Sequence, residues 1–114
     1  MIEVIFGNKT AAQVMLYLFH HGEAYANGIA KDMGITLSQV QKQLDKFEQG
    51  NVLVSKKLGT TRIYTFNPKL GITKKIKDLV GEFYQAIPLE SREEMFNTRR
   101  RPRTKDKPVI KKNK

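Results

Sequence analysis

Residues 29–53, IAKDMGITLSQVQKQLDKFEQGNVL, decide the fold. Their centre predicts a helix over 36–49. Thr36 can cap its start, Gln39 follows three residues later, and no Gly or Pro interrupts it before Gly50-Asn51. At about 100° per residue, Leu37, Val40, Leu44 and Phe47 fall on one face, the spacing of a helix docked on a core. The opposite face carries Ser38, Gln39, Lys42, Asp45, Lys46 and Gln49. Apart from Asp45, these side chains can hydrogen-bond base edges or neutralise phosphate. A carboxylate facing phosphate is repulsive unless it pairs with Lys42 or accepts from a cytosine amino group.

Upstream, residues 26–33, ANGIAKDM, predict a short helix closed by Gly34 and weakened by Gly28. Before it, AAQVMLYLFHH (11–21) is apolar nearly all round, which places that helix against more than one neighbour. Thr10 with Gln13 reads as its cap, and MIEVIF (1–6) as a strand or packed arm. Downstream, LVSKKL (53–58), a Gly59-Thr60-Thr61 turn and RIYTF (62–66) read as a hairpin. A further helix over 72–87 sets Ile72, Ile76, Leu79, Val80, Phe83 and Ile87 along one stripe before Pro88. Residues 91–96 suit one more helical turn. The expected organisation is a domain over 1–88 and a basic, largely disordered tail over 89–114, with RRRPRTKDKPVIKKNK at its end.

The order helix, short helix, helix, hairpin, helix, carried by FGNKTAAQVMLYLF, GIAKDMGITLSQVQKQLDKFEQGNVL and GTTRIYTFNP, resembles the winged helix-turn-helix transcriptional regulators of the ArsR and MarR type. It is nearest to the small prokaryotic winged-helix domains that stand alone or precede nucleotidyltransferase domains. The resemblance covers about residues 5–87 and implies a mainly α, α+β fold. It also implies that helix 36–49 enters the major groove, with Ser38, Gln39, Gln41, Lys42 and Gln43 at the DNA-facing positions. Periodicity agrees for Ser38, Gln39 and Lys42, and puts Gln41 and Gln43 beside the apolar stripe. Lys46 would add a phosphate contact. The hairpin, as the wing over 53–66, would bring Lys56, Lys57, Thr60, Thr61 and Arg62 to the backbone or minor groove. Tyr64 and Asn67 match positions of structural use. Family members commonly dimerise through their first and last helices, which here means helices 11–21 and 72–87.

Composition bounds the alternatives. Of the 114 residues none is Cys, which removes disulfides, thiolate metal sites and cysteine nucleophiles together. No apolar run approaches the roughly 20 residues of a membrane span, and no secretory signal opens the sequence. A cytoplasmic, nucleoid-associated protein is expected, without cofactor or metal. The only histidines, His20 and His21, are adjacent and point about 100° apart on a helix, a poor start for a metal site even with Glu23 nearby. They better suit the last carbonyls of their helix. There is no glycine-rich phosphate loop and no Ser beside a plausible base, so catalysis is not expected.

The formal net charge of +10 is unevenly placed. Residues 98–114 hold nine Lys or Arg and one Asp, a net of +8, which leaves +2 for residues 1–97. The tail carries the long-range field, with Arg99, Arg100, Arg101 and Arg103 as its phosphate contacts. Lys74, Lys75 and Lys77 crowd the start of helix 72–87, where a helix N-terminus favours anions instead. The expected function is sequence-specific binding of double-stranded DNA by a homodimer. The alternative is a protein-docking winged helix whose basic tail alone binds DNA or RNA. Single-stranded RNA recognition lacks an aromatic stacking platform here.

Overall fold

The structure, a computed structural model, describes residues 1–96 of the 114. Six helices and a two-stranded antiparallel sheet follow in the order α1 (Ile2–Phe6), α2 (Lys9–His21), α3 (Ala26–Met33), α4 (Leu37–Gln49), β1 (Leu53–Leu58), β2 (Thr61–Phe66), α5 (Gly71–Ala86) and α6 (Leu89–Phe96). Helix α2 is the hub, packing against α1, α3, α4 and α5. Its Ala11, Ala12, Val14, Met15, Leu16, Tyr17 and Leu18 are all buried, and they meet Val40, Leu44 and Phe47 of α4 and Val80 of α5 in one core. The all-round apolar pattern of this helix is therefore consumed inside the domain, and it leaves little to offer a second subunit.

Three local expectations change. Of the two readings of residues 2–6 the packed arm holds and the strand does not: they form a helix with no described strand beside them, and Phe6 meets Phe47 edge-on at 6.1 Å. Helix α2 begins at Lys9, capped by Asn8, whose Oδ1 accepts from Ala11 N at 2.8 Å. Thr10 is inside the first turn, because Asn8 already supplies the oxygen the free amides need. On α5 the buried residues are Thr73, Val80 and Gly81, while Ile72 is 64% exposed and Leu79 is also exposed. The small residues turn inward because Gly81 lies against the Phe19 ring, where a Cβ would stand 2.8 Å from it. Of the expected stripe only Ile72 and Leu79 are pushed outward, while Val80 is buried and Phe83 and Ile87 pack against the core.

Residues 89–96 form two turns of helix, and Phe96 is 1% exposed. Its ring stacks on His20 at 5.0 Å and meets Tyr84 at 5.9 Å and Tyr17 at 6.4 Å. The ordered fold thus continues past Pro88, because the aromatic residues at the end of α2 and of α5 leave a socket for one more ring. His20 Nδ1 and the Tyr84 hydroxyl share a hydrogen bond, so this histidine faces α5 and α6 through its side chain.

Between α3 and α4 the chain turns sharply at Gly34, in the left-handed region at φ 69°. Gly34 N and Ile35 N both donate to Ala30 O, closing α3 as a Schellman-type cap. Thr36 Oγ1 then accepts from Gln39 N and starts α4 as the sequence predicts. In the hairpin Leu53 pairs with Phe66 and Leu58 with Thr61, leaving a two-residue turn of Gly59-Thr60 with Gly59 at φ 66°. The free edge of β2 is covered at one point, where Ala24 and Tyr64 exchange backbone hydrogen bonds.

Candidate nucleic-acid interface

Ser38, Gln39 and Lys42 are exposed on α4, as the helical period demands. Among the described residues no ion pair engages Lys42, Lys56 or Lys57. The wing stands beside α4, and its strand register decides which cations share a face. Lys57 is directly opposite Arg62, and Ser55 opposite Tyr64, so all four side chains lie on one face. Tyr64 on that face is buried and Ser55 donates to Glu48 of α4, so the face is the one turned toward α4. Lys56 pairs with Ile63 and lies on the other face. Like charges directly across a sheet destabilise it, which makes the Lys57–Arg62 pair at the tip a natural anion seat.

Several expected contacts already have partners within the fold, although Arg62 engages only one nitrogen of its exposed guanidinium. Arg62 donates to Ser55 Oγ at 3.1 Å, forming a relay through Ser55 to Glu48 that fixes the wing against α4. Gln41 donates to Asp45 Oδ1 at 2.9 Å and to the Tyr64 hydroxyl at 3.0 Å. Asp45 thereby finds a partner one turn back on its own helix. Lys46 donates to Phe6 O at 3.0 Å and sits 4.9 Å from the Phe47 ring centre, tying α4 to the end of α1. Gln43, expected at a DNA-facing position, is instead 7% exposed on the core side with Val40, Leu44 and Phe47, and cannot present its amide to a groove. Its Oε1 has no hydrogen-bond partner among the described residues. Thr60 is exposed and Thr61 half-buried at the turn. Tyr64 and Asn67 are structural: Asn67 N donates to Val52 O at 2.9 Å and its Nδ2 to Asn51 O at 3.0 Å, closing the base of the hairpin. Arg99, Arg100, Arg101 and Arg103 lie outside the described residues.

Leu37 also departs from its expected place. Expected on the buried stripe, it is 46% exposed and borders a cleft between α3, the start of α4 and the wing. Periodicity gives an angle around the axis but no depth along it, and the first turn of α4 runs beyond the core. Tyr25, at the N-cap of α3, is exposed on the same cleft and had no signal in the sequence. Elsewhere, among the described residues, no group of three His, Asp or Glu side chains is placed to hold a metal ion, and no helix is long and apolar enough to cross a membrane.

No protein-family model matches the chain, and no curated protein matches it in sequence. In structure it is similar to AntR, an antimony-specific transcriptional repressor, with a TM-score of 0.57 and 16% identity over 72% of each chain. The fold is a winged helix-turn-helix. A variant of ZitR from Lactococcus lactis aligns with a TM-score of 0.49 and 18% identity over 75% of this chain and 66% of that one. In winged-helix terms, α3 and α4 are the helix-turn-helix pair, and β1 and β2 are the wing.

Proposed function

We propose that the protein is a transcriptional regulator that binds double-stranded DNA in a sequence-specific way. The reading is carried by one observation: Ser38, Gln39 and Lys42 are exposed together on α4 and flanked by a wing whose Lys57 and Arg62 lie on the face turned toward that helix. In this reading α4 enters the major groove, Gln39 contacts base edges, Lys42 reaches both a base edge and a phosphate, and the wing cations seat on phosphates. Its resemblance to ArsR- and MarR-type regulators and its likeness to a repressor in fold support it. No catalytic step belongs to it.

The active form would be a homodimer. Helix α5 exposes Ile72 and Leu79, and α1 exposes Val4 and Ile5. These two helices, with α1 taking the place expected for the buried α2, would supply an interface that sets two α4 helices on successive major grooves about 34 Å apart. With Lys42, Lys57 and Arg62 from two subunits, about six phosphates are contacted, and log affinity should fall with log salt at a slope near −5. The basic tail would add long-range attraction.

The test is selection from a pool of random duplexes with three full-length proteins: the native chain, Gln39→Ala with Lys42→Ala, and Arg99, Arg100, Arg101 and Arg103 all changed to Gln. A motif enriched by the native chain, retained by the tail variant and lost by the α4 variant supports the reading. Binding without a motif, lost only in the tail variant, makes the winged domain a protein-docking module and sinks it.

A further inference from the structure

Lys74, Lys75 and Lys77 crowd the first two turns of α5, and the DNA-binding surface proposed above has no use for them. A helix N-terminus carries partial positive charge, and cations beside it raise that field further. No acidic residue lies in the first turn of α5. Asp78 pairs with Lys74 at 3.7 Å, both exposed, while Lys75 and Lys77 are in no ion pair among the described residues.

The start of the helix is also open. Its N-cap, Leu70, has no side chain to accept from the first amides, and those of Gly71 and Ile72 find no acceptor among the described residues. A Cβ on Gly71 would meet nothing within 4 Å, so this amide can be approached closely. Next to it Thr73 is 2% exposed. Its backbone N–H donates to Leu70 O at 3.1 Å, but its hydroxyl has no hydrogen-bond partner among the described residues. A buried hydroxyl left without a partner costs free energy. This one is not sealed in: the little surface that Thr73 keeps opens on a cleft of about 240 Å³ between the base of the wing and α5.

The walls of that cleft choose its occupant. Phe66, Pro68 and Leu70 make it mainly apolar. Phe66 is buried and the Lys77 ammonium stands 5.9 Å from its ring centre, so the accessible part of the ring is already taken by a cation. Pro68 and Leu70 are free to receive an alkyl chain. The volume is below the roughly 300 Å³ at which pockets for drug-sized ligands begin, which limits the occupant to a small molecule. A wholly polar anion would leave the apolar walls unused, and a neutral apolar molecule would leave the amides, the hydroxyl and the ammonium unanswered.

We propose that this cleft binds a small aliphatic carboxylate. Its oxygens accept from the Gly71 and Ile72 amides and the Thr73 hydroxyl, its charge faces Lys77, and its chain lies along Pro68 and Leu70. The inference does not rest on the DNA-binding reading. The site is at the base of the hairpin, where Leu53 pairs with Phe66, away from the tip where Lys57 faces Arg62.

The test titrates the full chain with hexanoate and follows the backbone amides by NMR. Hexanamide, with the chain but no charge, and inorganic phosphate, with charge but no chain, are the controls. Hexanoate should shift the Gly71, Ile72 and Thr73 amides saturably, and both controls should bind far more weakly. Thr73→Val keeps the branched shape and removes the hydroxyl; losing one hydrogen bond to a charged group should weaken hexanoate binding about tenfold. Lys77→Gln should weaken it about threefold, because that ammonium is exposed. The three titrations of the native chain stand whether or not either variant folds. No saturable shift with hexanoate, equal binding of hexanamide or phosphate, or unchanged affinity in a folded Thr73→Val would each overturn the assignment.

Discussion

Phe96→Ala tests whether the fold truly extends to its last described helix. The Phe96 ring is sealed among His20, Tyr84 and Tyr17, and truncating a fully buried Phe costs about 3–5 kcal/mol. The upper end does not apply here. Helix α6 has eight residues at the edge of the described fold, so the chain can release it and limit the loss to the free energy of docking that helix. A loss of about 2.5 kcal/mol is the expected value, set by that limit and below the full cavity cost. With a urea dependence of about 1.5 kcal/mol per molar for a domain of this size, the midpoint should fall by roughly 1.7 M. Far-ultraviolet circular dichroism during urea titration measures it, and Leu89→Ala is the control. Leu89 is exposed on the same helix, so its truncation should stay within about 0.5 kcal/mol. A midpoint for Phe96→Ala equal to that of Leu89→Ala would refute the reasoning, because the ring would then contribute nothing that α6 does not lose anyway.

Other expectations follow from single contacts. Gln43→Met keeps the volume and removes a buried acceptor without a partner, so stability should rise by about 1 kcal/mol in the same titration, with DNA affinity unchanged. Asn8→Ala should cost about 1 kcal/mol as the loss of an N-cap, and Thr10→Ala should cost much less; equal costs would mean that the cap is misassigned. Lys42→Ala in both subunits should reduce the salt slope of DNA binding by about 2, since each lost phosphate contact is worth about 0.9. Lys46→Ala should leave that slope unchanged and lower the unfolding midpoint, because its ammonium is held on Phe6 O.

Much of the architecture was legible because it depends on local chemistry. Thr36 caps α4, Gly34 closes α3, and Gly59 turns the hairpin, each through groups within a few residues of one another. Segment 2–6 was not legible. Its β-branched content suits a strand, but it has no neighbouring strand, and it becomes a helix capped in space by Lys46, forty positions along the chain. The candidate interface divides in the same way. Exposure of Ser38, Gln39 and Lys42 follows from period alone. That Gln41 and Arg62 already have partners, and that Lys57 and not Lys56 shares the face turned toward α4, depends on how the strands register and how the wing meets the helix.

The sequence by itself determined the order of elements from α2 to α5, the turns and the polar face of α4, because caps, glycines and periodicity act over one or two helical turns. Only the tertiary structure decided which half of the apolar surface on α5 faces inward, where Leu37 ends and Gln43 begins to be buried, and that Phe96 belongs to the core. Those outcomes depend on the depth and closeness of packing between elements distant in the chain: Gly81 against Phe19, the overhang of the first turn of α4, and a socket built jointly by α2 and α5. A one-dimensional pattern specifies direction around an axis, and it takes a second element to specify distance.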